Sequence, residues 1–175
     1  KMDYCYHVLP EKPRPDRRFV DVLYDPSGHI EEVVERSETA SIQVSDEYLS
    51  NLVKHFYVAL HYAATKLGRG ELWESRDTVE YYRGLLISFE HMLDNRKRVG
   101  YRRLEQKLSK EKLLMLEKTI PKDVTKAESI RALDAVLEYF DEHLKPRLTA
   151  LGAYPETQAM NMVKYYEREK GKMLR

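Results

Sequence analysis

Lys66, Arg69 and Glu71 lie within six residues of one another in the stretch Lys66-Leu67-Gly68-Arg69-Gly70-Glu71-Leu72-Trp73, the densest juxtaposition of charge and glycine in the 175-residue chain. Two cations at this spacing can neutralise phosphate charge while the carboxylate orients a cation, an amine or a hydroxyl. A local salt bridge among the three is the plainer alternative. Glycine in a helix interior costs roughly 1 kcal/mol relative to alanine, so Gly68 and Gly70 predict a helix junction, or a place where a ligand approaches the backbone. Asp3 is the second chemically suggestive residue, a carboxylate in the alternating run Met2–Leu9. It can act as a metal ligand or as a general base toward a hydroxyl, or simply face solvent. The most basic patch is Arg96-Lys97-Arg98 followed by Tyr101, Arg102 and Arg103, which fits a solvated loop or an anion and nucleotide contact.

Several other chemistries have no carrier in the sequence. The chain contains no P-loop, no His-Glu-x-x-His, no Ser-centred elbow and no Gly-x-Gly-x-x-Gly. His55 and His61 are six apart and do not share a helix face, which argues against a helix-borne metal pair. The 13 tyrosines fall mostly at helix spacing beside leucines, as core residues rather than a stacking platform for bases. A net charge of +1 with 34% charged residues does not suit a dedicated duplex-binding protein, so no nucleic acid partner is expected. Cys5 is the single cysteine, which excludes an internal disulfide and a multi-cysteine zinc site. No apolar run approaches the roughly 20 residues of a membrane span, so no membrane partner is expected and a cytoplasmic location is. The chain opens on Lys1 rather than methionine and leads straight into a strand-like run, so the beginning of the protein is expected upstream.

These residues need elements to hold them. Met2–Leu9 has the period of a strand, with Asp3 and His7 on the same side, and the prolines at 10, 13 and 15 end it. Phe19–Tyr24 is a second β-rich run closed by Asp25-Pro26-Ser27-Gly28, and His29–Val34 can continue the hairpin. Two or three strands are too few for an independent sheet and imply a larger one. From Ser45 the apolar period becomes helical, through Leu49, Val53, Phe56, Leu60 and Ala64, then Val79, Tyr82, Leu86, Phe89 and Leu93. Shorter helices carry Tyr101, Leu104 and Leu108, and then Leu113, Leu114 and Leu116. Thr125-Lys126-Ala127-Glu128 predicts a capping box ahead of Ile130, Leu133, Val136, Leu137, Phe140 and Leu144; Pro146 should kink or end that helix, and a last one starts at Pro155. The predicted fold is mainly α: an up-and-down bundle of five or six helices over residues 41–175, preceded over residues 1–40 by two or three strands of a larger mixed sheet.

Leu67-Gly68-Arg69-Gly70-Glu71-Leu72-Trp73, the helix before it with Tyr57 and Tyr62, and Tyr82-Arg83-Gly84-Leu85-Leu86 after it resemble the helical C-terminal domain of antibiotic nucleotidyltransferases of the lincosamide and aminoglycoside adenylyltransferase type. Tyr24-Asp25-Pro26-Ser27-Gly28-His29-Ile30 is similar to the strand and Asp-x-x-Gly turn that such enzymes place before the bundle, and Arg103-Leu104-Glu105 and Glu138-Tyr139-Phe140-Asp141 follow in the same order. The resemblance covers most of the chain through short motifs whose order carries the weight. It implies Mg2+ and ATP or another nucleoside triphosphate as cofactors, a small-molecule hydroxyl acceptor such as an antibiotic or metabolite, and catalysis by carboxylates. Met2-Asp3-Tyr4 is similar to the strand bearing the acid that activates the acceptor, so Asp3 is the implied base, with Asp21 the lesser alternative. Lys66 and Arg69 would face phosphates, Glu71 the acceptor, and Arg103 the nucleotide or the substrate. The chain departs from the family in having no Gly-Ser pair and no Asp-x-Asp, the elements that hold the metal. They are expected upstream of Lys1, in a partner, or lost, and the 175 residues alone are expected to be inactive. Two other classes stand beside this one. The first is a non-catalytic helical domain that dimerises or pairs with a separate nucleotidyltransferase. The second is a helical ribonuclease, which needs an Arg and a His a few residues apart on one helix; Arg83 and His91 are eight apart.

Overall fold

The computed structural model describes residues 22–38, 44–94 and 100–174. Among them the first element is α1 (His29–Glu38). Asp25 starts it. Its Oδ2 accepts the Ile30 N–H at 2.6 Å and the Glu31 N–H at 3.1 Å, while Oδ1 accepts the Ser27 hydroxyl at 2.7 Å. Those amides are ones that the first turn of a helix leaves unpaired. Asp25-Pro26-Ser27-Gly28 therefore launches a helix instead of turning a hairpin, and the predicted extension of the hairpin through His29–Val34 is corrected to helix. Val22–Tyr24 is not a strand, and no strand occurs among the described residues. Met2–Leu9, Asp3 and Asp21 lie outside them.

The bundle begins where the helical period begins. Ser45 caps α2 (Asp46–Arg69), its hydroxyl accepting the Tyr48 N–H at 3.1 Å. Leu49, Val53, Phe56, Leu60 and Ala64 are all buried, as their spacing predicts. A two-residue connection leads into α3 (Leu72–Leu93), which buries Val79, Tyr82, Leu86 and Phe89. Such a short link brings the two helices back against each other. The predicted helix around Tyr101 is shorter than its pattern suggested: only Leu104–Gln106 forms a 3-10 turn before α4 (Lys110–Lys118), which Ser109 caps. Beyond it come α5 (Lys126–Tyr139), α6 (Lys145–Ala150) and α7 (Glu156–Met173). Helix α7 packs on α2, α5 on α3, and α4 on α5.

Aromatic rings fill the centre. Phe56 stacks on Phe140 with centroids 4.3 Å apart, and Tyr82 meets Phe56 edge-on at 5.0 Å while its hydroxyl donates to the Phe56 carbonyl at 2.9 Å. The hydroxyls of Tyr57 and Tyr154 meet at 3.1 Å, joining α2 to the segment before α7. Burial holds the Tyr57, Tyr82, Tyr139 and Tyr166 hydroxyls far above the ordinary phenol range, so they remain neutral hydrogen-bonding groups. These tyrosines are core residues, as expected.

The start of α5 keeps half of its predicted capping box. Thr125 Oγ1 accepts the Glu128 N–H at 3.2 Å, but the Glu128 carboxylate turns to the Lys122 N–H at 2.9 Å and to Arg131 at 2.8 Å. The Arg131 guanidinium, ahead of the Lys122 amide, holds Glu128 down at about 2. A carboxylate depressed in the folded state adds stability that is complete above its unfolded value, 4.5, and is lost as pH falls through about 2. Between roughly pH 5 and pH 2 the melting temperature of the wild type should therefore fall more steeply than that of Glu128→Gln; parallel curves would contradict this.

Pro146 neither ends the α5 helix nor breaks it cleanly. The chain widens into a π-turn, Phe140–Leu144, closed by the Lys145 N–H on the Phe140 carbonyl, and resumes as α6. Proline has no N–H to give residue 142 and its ring would crowd that carbonyl; the wider turn relieves both.

Candidate functional site at the α2–α3 junction

Gly70 ends α2 in the left-handed region, at φ +75°. Its N–H donates to the Leu67 carbonyl at 3.1 Å and the Glu71 N–H to the Lys66 carbonyl at 3.0 Å, the paired bonds of a Schellman motif. The motif folds residue 71 back over residue 66. Positive φ at the turn and reversal of the chain are thus why Lys66 and Glu71, five residues apart, face each other.

The side chains follow the backbone. Lys66 Nζ lies 2.6 Å from Glu71 Oε2, and Arg69 Nη1 lies 3.7 Å from Glu71 Oε1. The hydrogen bond from Lys66, aided by Arg69, depresses Glu71, and the same bond raises Lys66, so both are charged at neutral pH. Lys66 also sits 5.1 Å over the Tyr62 ring, and the Tyr62 hydroxyl donates to Glu74 on the first turn of α3. Lys66 is the sheltered member of the set, its side chain 18% exposed, against 66% for Arg69. Glu71 is therefore gripped by Lys66, whereas Arg69 meets it only loosely and keeps most of its donors turned to solvent. Trp73, the one tryptophan, is 76% exposed two residues further on.

Such a site suits an anion. A carboxylate already paired with two cations is a poor magnesium ligand, and no group of three or more His, Cys, Asp or Glu among the described residues could hold a metal ion. Arg69 offers planar, always-charged donors of the kind that bind phosphate oxygens in pairs.

Arg103 is not brought to this cluster. It is exposed, in the left-handed region at φ 54°, in a segment that Tyr101 ties to α3 by donating to Glu80 Oε1 at 2.6 Å. Glu80 is nine residues, about 14 Å of helix, beyond Glu71. Asp3 lies outside the described residues. The ribonuclease pair is also unsuited to catalysis: Arg83 is buried and donates to the Thr119 carbonyl at 3.1 Å, and His91 is 2% exposed.

A second charged cluster was not foreseen. Glu90, 1% exposed on α3, accepts from Tyr139 at 2.9 Å, Lys112 at 2.7 Å and Arg147 at 3.0 Å, and Arg147 reaches Asp94 at 2.6 Å. Position 90 continues the apolar stripe of Leu86 and Leu93 at spacings of four and three, and a carboxylate on such a stripe was the available signal. Its partners lie 22 to 57 residues away, beyond the reach of local spacing. No protein-family model, no curated protein and no solved structure matches the chain.

Proposed function

We propose that this chain is the helical C-terminal region of a nucleotidyltransferase-like protein, which transfers a nucleoside monophosphate from a magnesium nucleotide to a hydroxyl of a small molecule such as an antibiotic or a metabolite. The α2–α3 junction forms one wall of the cleft. The observation that carries the reading is the exposed Arg69 guanidinium beside a Glu71 fixed by Lys66, in one of the short segments that carry the family resemblance. Arg69 binds nucleotide phosphates and Lys66 holds Glu71 in place. Glu71 accepts a hydrogen bond from the acceptor through Oε1, the oxygen that Arg69 holds only loosely. Asp3 takes the proton of the attacking hydroxyl, whose oxygen bonds to the α-phosphorus as pyrophosphate leaves. Arg103 contacts the nucleotide from the segment after α3. Magnesium would neutralise charge on the phosphates, and its carboxylate ligands would come from an Asp-x-Asp upstream of Lys1 or in a partner.

Trp73 offers a direct reading. Titrating magnesium ATP should change its fluorescence saturably, and Arg69→Ala should abolish the change while leaving the melting temperature within about 2 °C. No change at any nucleotide concentration would reject the site. A second reading, a non-catalytic helical domain that dimerises or pairs with a separate nucleotidyltransferase, draws on the exposed Tyr48, Val58 and Tyr62 of α2 and Trp73 and Tyr81 of α3. A stable dimer in light scattering together with a silent titration would favour it.

A further inference from the structure

We propose that the Glu90 carboxylate is a register lock: from α3 it selects where the α5–α6 helix widens, and it thereby fixes α6 and Tyr154 against the rest of the bundle. Tyr139 is the last residue before the π-turn and Arg147 the third after it, and both donate to Glu90, at 2.9 Å and 3.0 Å. In an uninterrupted α-helix, residues eight apart would point about 80° away from each other. Each residue of a π-turn rotates the chain by less, which removes most of that offset. In the widened register both side chains reach one carboxylate.

An apolar pattern agrees with the polar one. Val136, Phe140, Leu144 and Leu148 recur at a spacing of four and all are buried. Strict spacing of four drifts about 40° per step in an α-helix, and the wide turn brings the set back into phase. Pro146 requires that a backbone bond be missing near it but does not dictate which residues form the wide turn. Glu90 supplies that choice from another helix. Arg147 completes the device by spanning Glu90 and Asp94, with Nη2 2.6 Å from Asp94 Oδ1, and Lys112 of α4 holds the same Glu90 oxygen at 2.7 Å. The lock thus links the C-terminal end of α3 to α6 and on to Tyr154, whose hydroxyl meets Tyr57 of α2. Without the charge on residue 90, α6 is free to rotate in register and Arg147 turns away.

Amide hydrogen exchange on Glu90→Gln tests this without reference to nucleotide. Glutamine keeps the shape and loses the charge that Lys112 and Arg147 share. Amides of residues 144–153 should exchange about tenfold faster or more, with those of α2 and the first half of α3 unchanged. Unchanged exchange over 144–153 would overturn the lock, and so would uniform acceleration throughout the bundle, which would mark a loss of global stability alone. Arg147→Lys keeps the charge but cannot span both carboxylates, and it should give the same local pattern. If Glu90→Gln does not fold, the lysine variant decides by the same criteria.

Discussion

Phe56→Ala is expected to cost about 3–5 kcal/mol of stability, the range for removing a fully buried aromatic side chain. Phe56 is 0% exposed and touches rings from three parts of the chain, stacking on Phe140 and meeting Tyr57 and Tyr82 edge-on. The cavity would open between α2, α3 and the π-turn, where close-packed helices cannot simply collapse onto it. In a chain of this length each kcal/mol moves the melting temperature by about 2–4 °C, so a fall of roughly 10 °C is expected. Val58→Ala, two residues along the same helix but 60% exposed, should stay within about 0.5 kcal/mol of wild type. Thermal unfolding followed by circular dichroism makes the comparison; equal shifts for the two variants would place the core elsewhere.

Arg69→Ala should act oppositely, leaving the fold intact and, on the proposed role of Arg69, weakening nucleotidyl transfer. Its side chain is 66% exposed and its one ion pair among the described residues, with Glu71, is 3.7 Å long, so stability should hardly change. If Arg69 meets the phosphates, its loss removes charge-assisted hydrogen bonds from the nucleotide and from the charge developing in the transition state. Bonds of that kind are worth about 1.5–3 kcal/mol each, or about ten- to a hundredfold in kcat/KM. Arg69→Lys should recover only part of the loss, because a lysine keeps the charge without the planar pair of donors.

Local sequence carried much of this architecture. The stripes of α2 and α3, the Thr125 cap, and the helix junction at Gly70 all follow from spacing or from single residues, because they depend on contacts within one or two turns. Other features required tertiary information. Asp25-Pro26-Ser27-Gly28 suits a hairpin turn and a helix start equally well, and the decision lay in the Asp25 carboxylate reaching Ile30 and Glu31. Pro146 signals a kink or an end, but the position of the wide turn is not legible from local spacing: Tyr139 before it and Arg147 after it meet at Glu90, a residue of another helix. At the junction, sequence placed Lys66, Arg69 and Glu71 together without ranking them. The Schellman motif ranks them by sheltering Lys66 against Glu71 and leaving Arg69 outside.

Nucleotidyl transfer by the whole protein, measured for wild type and Arg69→Ala together with their melting temperatures, tests the role of the α2–α3 junction most directly. A raised nucleotide KM or abolished turnover, with the helical signal and thermal stability preserved, is the predicted result. Unaltered transfer by Arg69→Ala would contradict it and reject the role proposed for the α2–α3 junction.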